Sequence, residues 1–200
     1  MRSSIAVAGL LLSIPAGAAE LYRLDSDNTH VSLDVRLFGV PWVSAHFEDI
    51  SGELTPGPRA IPAPNSAQAS ARVDVTIRTA SLKCDSARWN ARLLSSAWFD
   101  SEHYPQIVYR SERVAFEGDG RAVVSGTLTL HGQTRRLTLN VNHWRCSSRP
   151  GPADSCSFDA HGLLRRSDYD LPHGILEGGD EVEIVIQGID ARPQSPRTAG

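Results

Sequence analysis

Two hundred residues, 40% hydrophobic and 22% charged, are enough for a globular domain with a sizeable core. A formal net charge of −3 leaves no basic surplus, which argues against a nucleic-acid binder.

The first nineteen residues read apart from the rest. Met1-Arg2 makes a short basic start, Ile5 to Ile14 is mostly apolar, and Ala16-Gly17-Ala18-Ala19 supplies small residues for cleavage. This is the layout of a secretory signal peptide over 1–19, too short to span a bilayer stably. Losing it removes Arg2 and no acidic residue, so the processed chain is one charge more negative. No later run is long or apolar enough for a transmembrane helix. The expectation is a soluble exported product, with residues 20–190 as its domain.

From Tyr22 to Leu54 the pattern has a period of two. Val31, Leu33, Val35 and Leu37 alternate with His30, Ser32, Asp34 and Arg36, as on a strand with one buried and one wet face. Phe38-Gly39-Val40-Pro41 places a turn, and Trp42 to Leu54 resumes as a second extended run, giving a tall hairpin. Pro56 to Ser66 holds four prolines and is a loop. Val73, Val75 and Ile77 alternate again. Residues 86–98 break the pattern: Trp89, Leu93, Leu94 and Trp98 recur at helical intervals, with Asp85 or Ser86 as the cap.

Strand character then returns. It is carried by Ile107, Tyr109, Val114 and Phe116; by Val123 to Leu130; by Leu137, Leu139 and Val141; by Phe158 to Leu164; and by Val182, Ile184 and Ile186. Glu117-Gly118-Asp119-Gly120 and His131-Gly132-Gln133 form the turns. Residues 191–200 are polar, small and proline-containing, a tail expected to be disordered. About eight strands of roughly 30 Å, at ~3.3 Å per residue, suit a calyx better than a sandwich. The expected fold is all-β: an eight-stranded antiparallel up-and-down barrel with one short helix over an end. Its inward positions would be Val31, Leu33, Val35, Leu37, Phe47, Val73, Val75, Ile77, Ile107, Tyr109, Leu128 and Leu139, with Trp42 and Phe99 lining the mouth or packing beneath it.

Signatures of catalysis are scarce. The chain has no Gly-x-Ser-x-Gly, no His-Glu-x-x-His and no phosphate-cradling glycine loop. His30, His46, His103, His131, His143, His161 and His173 are scattered without metal-ligand spacing and read as surface or turn residues. Arg165-Arg166-Ser167-Asp168 reads as strand-end charge pairing. Neither a catalytic residue, a metal site nor a cofactor is expected. Cys146 and Cys156 flank a turn-rich stretch. In an oxidising compartment they would close it as a disulfide worth about 2–3 kcal/mol, leaving Cys84 as a small buried thiol or as one that bridges to another chain.

Blocks spread along the chain resemble the YceI-like family of bacterial exported proteins. They are Tyr22-Arg23-Leu24-Asp25, Phe38-Gly39-Val40, Phe47 with Ile50-Ser51-Gly52, Trp98-Phe99-Asp100, Tyr104-Pro105-Gln106-Ile107, Gly126 to Gly132, Arg166-Ser167-Asp168-Tyr169 and Gly179-Asp180-Glu181-Val182. Asn28 and Thr29 depart from the family's usual His-Ser, and Leu37 from its frequent His. The resemblance implies a periplasmic lipocalin-like barrel holding a long polyisoprenoid, isoprenoid quinone or fatty amide, with the inward positions above as ligand contacts. It leaves room for a homodimer. The alternative is a lipocalin-type enzyme acting on a small apolar substrate in the same cavity, which would need an inward carboxylate or histidine.

Overall fold

Alternation along the sequence becomes a strongly curled antiparallel sheet in the computed structural model, which describes residues 21–37, 40–55, 67–68, 71–146, 156–173 and 179–191. The leader expected over 1–19, the turn expected at Phe38-Gly39, the loop expected over Pro56 to Ser66 and residues 192–200 lie outside the described residues, as do the side chains of Leu37, Trp42 and Cys146.

The elements are β1 (Tyr22–Asp25), β2 (Thr29–Leu37), β3 (Val40–Phe47), β4 (Ile50–Thr55), β5 (Ala67–Gln68), β6 (Arg72–Arg78), β7 (Leu82–Cys84), α1 (Ala87–Leu94), β8 (Gln106–Gly118), β9 (Arg121–Leu130), β10 (Gln133–Cys146), β11 (Cys156–Arg165) and β12 (Glu181–Ala191). Short 3-10 turns cover Thr79–Ser81 and Arg166–Tyr169. Hydrogen-bonded neighbours run β1-β4-β6-β8-β9-β10-β11-β12-β2-β3-β7, and β5 adds a two-residue pairing to β8.

The path therefore holds eleven strands, not the eight expected, and its ends, β1 and β7, are not paired with each other among the described residues. The physical reason lies in the first hairpin. A turn at Ser26–Asn28, closed by the Asn28 N–H on the Asp25 carbonyl at 3.1 Å, divides its first arm into β1 and β2. Glu48-Asp49 divides its second arm into β3 and β4, where the Ile50 N–H donates to Ser26 Oγ at 2.9 Å. β4 then pairs with β6 while β2 pairs with β12. One hairpin thus borders both margins of the remaining sheet, and this curls the whole around a shared interior.

Register slips in several ladders, and two of the bulges decide which lumen residues face inward. One lies between Ser111 and Arg113 on β8, so the buried positions pass from Ile107 and Tyr109 to Val114 and Phe116. The other lies between Val141 and His143 on β10. An extra residue on one strand reverses which side chains face inward beyond it. Inside the curl a single large cluster joins residues of nearly every strand, from Val31 and Phe47 through Leu128 and Leu139 to Val182 and Ile184. A smaller one gathers Tyr22, Leu24, Leu54 and Cys156 at the end away from α1.

Candidate functional site: the lumen of the curled sheet

The helix end of the lumen is set by α1. Ser86 caps it, its Oγ accepting from the Trp89 N–H at 3.4 Å. The helix stops at Leu94, four residues short of the segment expected. There the Trp98 N–H turns back onto the Ser95 carbonyl and the Phe99 N–H onto the Leu93 carbonyl, each at 2.9 Å. This reversal drives Leu93, Trp98 and Phe99 inward, where all three are buried. Phe99 meets Phe47 edge to face with centroids 6.4 Å apart, and Trp98 meets Trp89 in the same manner. Among the described residues, Trp89 stays off the lumen and supports Trp98 from outside.

Arg166 corrects the sequence reading. It is not an exposed strand-end charge: 2% of its surface is accessible, and its guanidinium lies 5.5 Å from the centroid of the Trp98 ring. Continuing the even-numbered inward positions of β11 past Leu164 leads to it. The Arg166 N–H donates to the Asp180 carbonyl at 2.8 Å, and the Leu171 N–H donates to the Arg166 carbonyl at 3.1 Å. Asp180 steadies the same turn, its carboxylate accepting from the Ser167 N–H and hydroxyl at 2.8 Å each. Partial burial works against the Asp180 charge, but those two bonds, helped by His173 and Arg165, hold its carboxyl below the usual range.

Midway along, the Tyr109 hydroxyl donates to the Val124 carbonyl at 3.1 Å, with the Leu137 carbonyl at 3.4 Å. Burial, seconded by Glu112, pushes its phenol pKa well up, so this hydroxyl stays neutral and occupied. At the far end stand Phe116, Trp144 and Phe158. Trp144 meets Phe116 at 79° and stacks on Phe158 at 25°, with 6.1 Å between centroids in both pairs.

Between these ends the lining is aliphatic. The cavity along the axis has a volume of about 130 Å³. The space is long and thin. Of the positions singled out from sequence, Val31, Leu33, Val35, Phe47, Val73, Val75, Ile77, Phe99, Ile107, Tyr109, Leu128 and Leu139 all border it. Leu37 and Trp42 have side chains outside the described set. Sequence reasoning missed Leu82, Leu93, Leu171 and Arg166 at the helix end, and Val114, Trp144 and Phe158 at the other.

Outside the lumen, the polar alternates face solvent. His30, His46, His103, His143 and His173 are exposed. His131 is half-buried, its ring 4.6 Å from that of Tyr104 and its Nδ1 3.0 Å from the Tyr169 carbonyl oxygen. No group of three or more His, Cys, Asp or Glu residues among those described is placed to hold a metal ion. Cys156 is disulfide-bonded, Cys146 stands opposite it in the β10–β11 register, and Cys84 is free and half-buried, not the buried thiol expected.

Residues 22–188 match the model of the YceI-like domain, which takes in the chain from β1 to near the end of β12. The chain belongs to the YceI-like family. Protein YceI of Escherichia coli O157:H7 is 26% identical over 181 residues, covering 90% of this chain and 91% of its own. A UPF0312 protein of Photorhabdus laumondii is 29% identical, covering 88% of this chain and 89% of its own. Among solved structures, Burkholderia cenocepacia BcnA superposes with a TM-score of 0.66 at 24% identity, covering 82% of this chain and 96% of its own. A polyisoprenoid binding domain from Saccharophagus degradans, implicated in plant cell wall breakdown, gives a TM-score of 0.56 at 14% identity, covering 86% and 99%. At these identities the superpositions speak for the fold.

Proposed function

We propose that the protein is an exported binder of a long apolar lipid, carrying or storing one extended polyisoprenoid-type chain in its lumen. The observation that carries this reading is the lumen itself: long, thin, and lined almost throughout by Val, Leu, Ile and Phe. Burying hydrocarbon there is favourable by about 25 cal/mol per Å² before the costs of association. A narrow bore favours one extended chain over a folded or ring-rich body, because each added methylene meets wall on all sides. The polyisoprenoid-binding domain of matching fold supports the choice of ligand class.

Export to the periplasm fits the leader-like segment over 1–19 and the disulfide state of Cys156. A bridge from Cys156 to Cys146, its register partner, is the pairing we assign. An enzyme working in this cavity would need an inward carboxylate or histidine to move protons. The described lining residues include neither.

The test is native mass spectrometry and lipid extraction of the protein purified from its own compartment. One long-chain species at close to one per chain is the expected result. Leu33→Trp and Val75→Trp place bulk across the narrow bore and should abolish co-purification while leaving the fold intact by circular dichroism. Lipid retained in both variants would defeat the proposal.

A further inference from the structure

Five residues with polar side-chain groups border the lumen among those described: Thr29, Trp98, Tyr109, Trp144 and Arg166. The Thr29 hydroxyl donates to Asn28 Oδ1 at 2.8 Å, and the Tyr109 hydroxyl is occupied by the Val124 carbonyl. Arg166 is a cation engaged at the helix end over the Trp98 ring, and the Trp98 Nε1 is not among the buried atoms lacking a partner among the described residues. Trp144 differs. Its Nε1 is buried and has no hydrogen-bond partner among the described residues. A buried N–H left unmet forfeits its bonds to water and recovers nothing, so such groups are rare unless something else supplies an acceptor.

The surroundings narrow what that acceptor is. The bulge between Val141 and His143 turns Trp144 to the lumen side of β10. Phe116 and Phe158 contact its ring at 79° and 25°. Phe158 lies against Gly188 on β12, where any Cβ would run into the phenyl ring, so the aromatic group is seated by a gap in the neighbouring strand. Phe158 and Arg165 are seven positions apart on β11, which sets this chamber roughly 23 Å from the helix end at ~3.3 Å per residue. A water would need two to four polar partners there, and the rings and aliphatic side chains beside Trp144 supply none beyond the indole. An anion would surrender its hydration for one neutral N–H, a poor exchange in apolar surroundings. A neutral carbonyl on an apolar molecule fits both demands: one acceptor oxygen, little to desolvate, and a flat group for a flat chamber.

We propose that Trp144 Nε1–H is the polar anchor of the lumen, donating to a neutral carbonyl oxygen of the bound lipid, so that the occupant is a carbonyl-bearing long-chain lipid and not a pure hydrocarbon. This rests on the lipid-binding reading and adds the chemistry and direction of the ligand: its carbonyl end lies among Phe116, Trp144 and Phe158.

The experiment uses the processed chain, delipidated, with two probes of equal length: an isoprenoid ketone and the isoprenoid hydrocarbon lacking the oxygen. Wild type should bind the ketone about five- to tenfold more tightly, the worth of one net hydrogen bond. The Trp144 indole resonance in a ¹H–¹⁵N spectrum, identified by its absence from Trp144→Phe, should move downfield with the ketone only. In Trp144→Phe the affinity ratio of the two probes should fall to near one. Equal affinities in wild type, an unmoved indole resonance, or a ratio preserved in the variant would each overturn the anchor. Failure of wild type to bind either probe would instead bring down the lipid-binding reading, and the anchor with it.

Discussion

His103 and Asp100 show how far a single pair can be followed. Asp100 sits at φ 44° beside the reversal that buries Trp98 and Phe99, and its carboxylate lies 2.9 Å from His103 Nδ1. The hydrogen bond to Asp100, then the attraction of its charge, raises the His103 pKa above the ordinary imidazole value. A histidine with a raised folded-state pKa adds stability that is complete below about pH 6.5 and lost as pH climbs through the raised value. Wild type should therefore exceed His103→Gln in Tm most at pH 6, with the gap closing by pH 8.5. A gap that widens with pH would contradict this, and an NMR titration of the ring reads the raised pKa directly. The imidazole is exposed, so the effect is small. Tyr169, in contrast, is 1% accessible, and burial pushes its phenol up to about 12, aided by Asp168. It stays neutral throughout that range.

Among the elements, the bulged strands explain what alternation alone could not. On β8 the inward set changes from odd to even numbers at Ser111–Arg113, and Gly126 lies opposite on β9, paired with Ser111. A Cβ at 126 would collide with the Arg110 carbonyl oxygen and the Ser111 Cα, both backbone atoms that cannot step aside. Gly126→Ala should therefore cost about 1–3 kcal/mol, in the range of overpacked sites, read as a lowered midpoint in urea at unchanged slope. An unaltered midpoint would show that β8 and β9 can part there cheaply. On β10 the same device decides whether Trp144 looks in or out. Straight alternation from Leu137, Leu139 and Val141 would leave Trp144 facing solvent, so its place in the lumen could not be read without knowing where the ladder slips. Arg166 was within reach of the sequence, because it continues the parity of Ala160, Gly162 and Leu164; its charge made the solvated reading the natural one.

At the scale of the whole molecule, stability and ligand capacity rest on closing a long sheet over a narrow hollow. The β10–β11 margin at the end away from α1 meets the small cluster of Tyr22, Leu24, Leu54 and Cys156. Removing the disulfide there with Cys156→Ser should destabilise the oxidised protein by about 2–3 kcal/mol in the chain-entropy picture. Adding reductant should bring wild type down to the same level. If reduction leaves the wild-type midpoint in place, the bridge does not constrain the unfolded chain as proposed. The lumen should respond oppositely to its ligand: delipidated protein melts lower, and adding back lipid raises Tm with its concentration.

Local chemistry determined much of this. A side-chain period of two, turn-forming glycines and prolines, and one segment of helical spacing sufficed for an all-β chain, for the bounds of β6 and β8 to β12 to within a few residues, and for most of the inward positions that border the lumen. These are properties of neighbours along the chain, where backbone geometry alone sets which side a residue faces. The number of strands, the divided first hairpin, the inward turn of Trp144 and the burial of Arg166 were decided only by the tertiary structure. Each depends on a register between segments far apart in sequence. A single inserted residue in one strand exchanges its two faces, and no local pattern records where the partner strand will require it.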